Sequence, residues 1–215
     1  LKLGDWSTSN TDQFGLSTRP SDFMLMHLKV FSMLDTAHSA VWQQVQNTIL
    51  KVCSSIFSKN SPKTGFLPDF AVYANNAWTA PAGKVLEAKT DKDYSWNSCR
   101  IFMRLGTEFF DPSSTQTGLR NMIQAANTFI KGACGQNPDK ISAGYKLSGE
   151  ALVNYSDMAF QAPFMMAAAV SNDQAWLNTL YHYVISQPKQ DYFGDSIKMV
   201  TLLMVTGNYL TAVSR

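Results

Sequence analysis

The sequence predicts an all-α fold. Apolar residues return at three- and four-residue intervals in seven separate stretches, runs with the two-residue period of a strand are few, and Asp, Ser and Pro stand at the boundaries of the periodic stretches. Phe23, Met26, Val30 and Met33 give the first stripe, and Val41, Val45, Ile49, Cys53 and Ile56 the second. Two packed helices joined near His38 are expected from them, with Asp22 and Ser39 as N-caps. The period vanishes over 58–93, where Pro, Gly, Asn and Lys dominate. A loop that long is usually functional or disordered, and its Phe66, Phe70, Tyr73 and Trp78 argue for a packed excursion beside a site. Helical spacing returns over 94–110 with Trp96, Arg100, Phe102, Leu105 and Phe109, and it stops at Asp111-Pro112. Further helices are expected over 119–131, 159–170, 175–185 and 195–209, with a linker or small hairpin over 144–155. Antiparallel helices joined alternately by short and long loops follow from this order.

With 215 residues, 45% of them hydrophobic, the chain can bury a sizeable core as one domain or part of one. Its formal charge of +2 is scattered, without a run of like charges, so nucleic acid is not an expected partner. The apolar run from Met199 to Val205 is too short to span a bilayer, and no membrane partner is expected. Cys53, Cys99 and Cys134 have neither zinc-site spacing nor the density of a disulfide scaffold, and read as buried free thiols. His27, His38 and His182 lack metal or triad spacing, and the GxSxG, P-loop and Rossmann fingerprints are absent, so no metal or cofactor is expected. Leu1-Lys2-Leu3-Gly4 has neither an initiator Met nor a secretory segment; the expectation is that upstream sequence has been removed or lies in another chain.

Glu87 stands ten residues ahead of Asn97, and Arg100 follows three residues later. A loop carboxylate followed by Asn and Arg at i and i+3 on a helix could hold and activate a water. The guanidinium would hold the carboxylate by a charge-assisted bond, and the amide would hold the water or a sugar. On spacing alone, Glu87 reads as a solvated carboxylate among Lys84, Lys89 and Lys92, and the plain alternative for Asn97 with Arg100 is a helix surface pair.

More of the chain bears on that choice: Ser61-Pro62-Lys63-Thr64-Gly65-Phe66-Leu67-Pro68-Asp69-Phe70, Gly144-Tyr145-Lys146-Leu147, Gly4-Asp5-Trp6 with Ser21-Asp22-Phe23-Met24, and Tyr192-Phe193-Gly194-Asp195-Ser196 followed by Thr206-Gly207-Asn208. Together with Glu87 and the segment Asp93 to Arg100, these blocks resemble glycoside hydrolase family 8. The branch they resemble holds chitosanases, lichenases and endoglucanases whose general base is a glutamate in an inserted loop, with Asn where other branches carry an Asp base. The resemblance implies an (α/α)6 toroid of which this chain, over 1–215, supplies about the last seven helices as the C-terminal part of a single catalytic domain. It implies a secreted, inverting endo-hydrolase of β-1,4 bonds in chitosan or β-glucan, with Glu87 as base and Asn97 and Arg100 beside it. Trp6, Tyr192 and Phe193 match positions that the family places near its cleft, where aromatic planes meet the apolar faces of sugar rings. Asp22 and Tyr94 would line the same cleft, and Trp78 is a weaker candidate. The general acid would come from an N-terminal segment of the same enzyme, and the partner would be a polysaccharide or oligosaccharide. Trp42, Trp176 and the Met pairs read as packing residues. A helical carbohydrate-binding module without activity is the alternative from another class.

Overall fold

The computed structural model describes residues 1–209, so residues 210–215 of the expected domain lie outside it. The described residues form eight α-helices, one three-stranded antiparallel sheet and short 3-10 turns, and none of those helices is long and apolar enough to cross a membrane. Helices α1 (Leu25–Leu34) and α2 (Ser39–Asn60) are the expected first pair. α2 buries Ile49, Val52, Cys53 and Ile56, the i, i+3, i+4, i+7 stripe of a helix with one face on a core. Met33 and Val41, expected in these stripes, are exposed, because the pair projects beyond the core and closes on itself through Phe31 and Trp42, 5.3 Å apart. The caps also differ from expectation. Asp22 lies in a 3-10 turn (Pro20–Asp22) and Ser39 is already helical, so Met24 and His38 take the N-cap positions without a side-chain bond.

Six helices follow: α3 (Ile101–Gly106), α4 (Thr117–Ala133), α5 (Met158–Gln161), α6 (Phe164–Val170), α7 (Gln174–Ser186) and α8 (Tyr192–Val205). The long helix expected over 94–110 shrinks to α3 with a 3-10 turn on each side. The Asp69 carboxylate takes the N–H groups of Ser95, Asn97 and Ser98, and a side chain competing for backbone donors in this way replaces a helix start by a turn. The helix expected over 159–170 is divided at Pro163, which has no N–H to give to the ladder. α8 begins earlier than expected because Asp191 accepts the N–H of Gly194 at 2.8 Å as its N-cap.

α6 is apolar on every side, and it packs against α3, α4, α7 and α8 as the enclosed helix of the array. Beside it lies an aromatic cluster centred on Phe66, which stacks on Tyr94 at 4.6 Å and packs with Phe102, Phe129, Tyr145 and Phe164. This cluster anchors the 58–93 excursion to the core. Gly65, immediately before it, lies against the backbone of α4 with a φ of +63°. The three cysteines are free and buried, as expected, and burial pushes the Cys53 and Cys99 thiols up to about 12.

Within 58–93 the structure also contains strands that the sequence reading missed. β2 (Ala71–Ala74) and β3 (Ala77–Thr79) form a hairpin, and β1 (Ser17–Thr18) pairs with the outer side of β2 through Ser17 opposite Val72. Asn75 and Asn76 both have positive φ, 51° and 60°, as the two-residue type I′ turn requires. Tyr73 and Trp78 pair across it at 5.4 Å. The hairpin expected within 144–155 is present, with Tyr145 opposite Ala151 and also bridged to Tyr94.

Candidate active site

The pairing of β1 with β2 sets Arg19, the residue after β1, beside the loop that carries Glu87. The Arg19 Nη2 donates to Glu87 Oε1 at 2.5 Å, and its guanidinium lies over the Phe70 ring at 5.0 Å. The second carboxylate oxygen, Oε2, accepts from Asn97 Nδ2 at 2.7 Å. Both oxygens are therefore held from behind while the side chain stays 46% exposed. Each oxygen keeps a further lone pair for a water or a hydroxyl.

Arg100 does not take the place expected of it. It donates to the Asn97 carbonyl at 3.2 Å, to Asn97 Oδ1 at 2.9 Å and to Ser21 Oγ at 3.3 Å. The guanidinium that meets Glu87 is Arg19, 68 residues away in sequence, and Arg100 instead fixes the Asn97 amide with its Nδ2 toward Glu87. The Asn97 amide thereby has one N–H on Glu87 and one oxygen lone pair on Arg100.

Two buried carboxylates shape the backbone beneath. Asp91 gathers four successive amides: Val85, Leu86 and Glu87 donate to its Oδ2 at 2.8, 2.8 and 3.0 Å, and Ala88 to its Oδ1 at 2.8 Å. Asp69 gathers Ser95, Asn97 and Ser98 on Oδ1 at 3.2, 3.1 and 2.7 Å. Burial pushes the Asp69 carboxyl up to about 6, outweighing the N–H bonds that favour its charged form. A carboxyl raised in the folded state above its ordinary 3.8 contributes stability that is present below pH 4 and lost as pH rises through 6. The stability of the protein relative to Asp69→Asn is therefore expected to fall by up to about 3 kcal/mol between pH 4 and 7. Urea unfolding of both proteins across that range measures it; a constant difference would contradict the shift.

Of the aromatic candidates, Phe193 is half-buried at the start of α8, with its ring 6.1 Å from that of Trp96 and 6.0 Å from the Arg100 guanidinium. Trp96 is 42% exposed and stands on Phe160 edge to face at 5.1 Å, one residue before Asn97. It is the aromatic plane that the sequence reading left out of the site. Tyr192 is exposed. Trp6 is exposed and packs edge-on against Phe14 at 5.5 Å, and Gln13 ties that stretch to the Glu87 loop by donating to the Val85 carbonyl at 3.1 Å. Asp22 is half-exposed and accepts from Arg104 at 3.3 Å. Tyr94 is corrected outright: it is fully buried against Phe66, Phe102, Phe160 and Phe164, and no ligand at the surface can touch it. Trp176 is a core residue as expected, and Trp42 packs on Phe31 with its Nε1 on Asp35 at 2.9 Å.

A beta-glucanase of Niallia circulans is 34% identical over 212 residues, which cover 98% of this chain and 50% of that protein. An endoglucanase of Bacillus sp. strain KSM-330 is 31% identical over 210 residues, 97% of this chain and 43% of that protein. The solved structure of a beta-1,3-1,4-glucanase from Paenibacillus sp. X4 superposes with a TM-score of 0.90 at 33% identity, over 98% of this chain and 55% of that one. A cold-adapted family 8 xylanase solved with substrate superposes with a TM-score of 0.74 at 19% identity, over 91% of this chain and 50% of that one, a likeness of fold. No family model matches the chain. The chain spans about half the length of the curated relatives it matches. Its helices are those of an (α/α)6 toroid, the fold that the sequence led us to expect.

Proposed function

From a chain that belongs to glycoside hydrolase family 8 and spans about half of its relatives' length, we propose the C-terminal part of an inverting endo-hydrolase of β-linked glucan, with Glu87 as general base. The observation that carries this reading is an exposed carboxylate held at both oxygens, by Arg19 and Asn97, beside the exposed ring of Trp96. In an inverting mechanism one carboxylate removes a proton from water while an acid about 6.5 to 9.5 Å away protonates the leaving oxygen. Glu87 suits the first role because its free lone pairs face outward and its position is fixed before substrate arrives. The acid belongs, in this proposal, to an N-terminal segment of the same enzyme. Trp96 and Phe193 offer apolar planes to a sugar ring, with Trp6 and Tyr192 as further exposed aromatics.

The glucanase names of the relatives favour β-glucan over chitosan. So does local charge: Arg19 is paired with Glu87 and Arg104 with Asp22, but the Arg100 bonds all go to neutral oxygens, leaving a positive charge where a glucosamine ammonium would be repelled. A polymeric substrate too large to enter a cell also favours secretion. Intact mass of the native preparation, followed by reducing-end release from mixed-linkage β-glucan and from chitosan, tests the reading. Glucan hydrolysis with a second, co-purifying segment is the expected result. Oligosaccharide binding without hydrolysis, with such a segment present, would replace this reading by a carbohydrate-binding module.

A further inference from the structure

The bonds around Glu87 close into a circuit. The Glu87 N–H enters the Asp91 carboxylate at 3.0 Å, the Asp91 carbonyl accepts the N–H of Phe70 at 2.9 Å, the preceding Asp69 accepts the N–H of Asn97 at 3.1 Å, and Asn97 Nδ2 returns to Glu87 Oε2 at 2.7 Å. Base and amide are thus mounted on two adjacent residues of one extended segment, Asp69 on one side and Phe70 on the other. The Asp91 side chain is the member of this circuit that nothing else could replace. It is 1% exposed, and four consecutive amides donate to it, so without it all four lose their acceptor, and that of Val85, a buried residue, is left inside the protein.

We infer that Asp91 is a positioning residue for the base: it shapes the Val85 to Ala88 turn so that the Glu87 carboxylate meets Asn97 and Arg19. This rests on the reading of Glu87 as general base. Asp91 itself lies beneath the turn, touches no surface where substrate could bind, and acts only through Glu87. Asparagine in its place has nearly the same volume, but its NH2 must face either the three donors on Oδ2 or the one on Oδ1, so a donor meets a donor in both orientations. The turn should open, and the carboxylate should leave Asn97.

Two readouts on the native preparation test this. The first is hydrogen exchange of the Asn97 side-chain amide and of the amides of residues 85–88, followed by NMR in wild type, Asp91→Asn and Asp91→Ala. Protection in the wild type is expected to fall at least tenfold in both variants, while the amides of α4 and α6 keep theirs. The second is hydrolysis of β-glucan by Asp91→Asn, where kcat is expected to drop roughly 100-fold with KM within a few-fold of wild type, the pattern of a displaced reacting group. Should Asp91→Ala fail to fold, Asp91→Asn decides. Unchanged protection of Asn97 in Asp91→Asn would overturn the inference whether or not the preparation is active, and so would an unchanged kcat. Glu87→Gln separates the two levels: full activity in that variant removes the base assignment itself, whereas an inactive Glu87→Gln beside a fully active Asp91→Asn removes only the role of Asp91.

Discussion

Glu87→Gln is expected to lower kcat on β-glucan by about 1,000-fold, with KM changed no more than a few-fold. Two effects act together. The amide cannot accept the proton that leaves the attacking water. It also cannot keep both of its anchors, because Arg19 and Asn97 are both donors and glutamine presents one oxygen and one NH2. The variant should therefore lose one of the two bonds and swing away from Asn97. Stability should barely change, since the side chain is half-exposed and surface ion pairs contribute little. Initial-rate kinetics and a thermal melt on the same sample check both halves. A variant that keeps more than a tenth of wild-type kcat would take the base role away from Glu87.

Gly65→Ala is expected to destabilise the protein by about 2 to 5 kcal/mol, more than most point substitutions. Gly65 has a φ of +63°, a region that costs an L-residue about 1 to 2 kcal/mol. A Cβ there would lie 2.1 Å from the Met122 carbonyl oxygen and 2.9 Å from the Ala126 nitrogen, so the overlap is with helix backbone rather than with a flexible side chain. α4 cannot move aside easily, because Met122, Ile123 and Ala126 on that face are buried. Nor can the loop retreat, because Phe66 is locked among five aromatic rings. Overpacking of this kind adds about 1 to 3 kcal/mol to the backbone cost. The measurement is the denaturant midpoint at constant m. A loss below about 1 kcal/mol would mean that α4 and the loop separate without cost.

How much of this was legible in the sequence differs by element. α2, α4 and α7 show their buried faces as plain 3.6-residue stripes, because each lays one face on the core. α6 could be seen as apolar but not as separate from α5, since the break is made by Pro163 within a continuous apolar run. The hairpin went unread because its strands are short and flanked by polar loop residues, although Asn75-Asn76 between Val72-Tyr73 and Trp78-Thr79 was a usable turn signal. At the site, Glu87, Asn97 and Arg100 do come together, but the bond from Arg19 could not be read from spacing, because it depends on the pairing of β1 with β2. Tyr94 illustrates the opposite error. An aromatic next to candidate site residues reads as part of the cleft, while the bridge from Tyr94 to Tyr145 turns its ring into the core.

The circuit around Glu87 also has a consequence for the order in which the protein assembles. Its side-chain bonds join residues 4, 10 and 28 positions apart, whereas Arg19 reaches Glu87 across 68 and Arg100 reaches Ser21 across 79. Loop-closure entropy grows with the logarithm of the span, so the contact across 68 residues costs about 1.7 kcal/mol more to form than the one across 10. The stretch from Asp69 to Ser98 can therefore take its final shape early, from contacts within itself, and the arginine that grips the carboxylate docks afterwards. In refolding, the amides of residues 85–88 would become protected in an earlier kinetic phase than the pairing of β1 with β2.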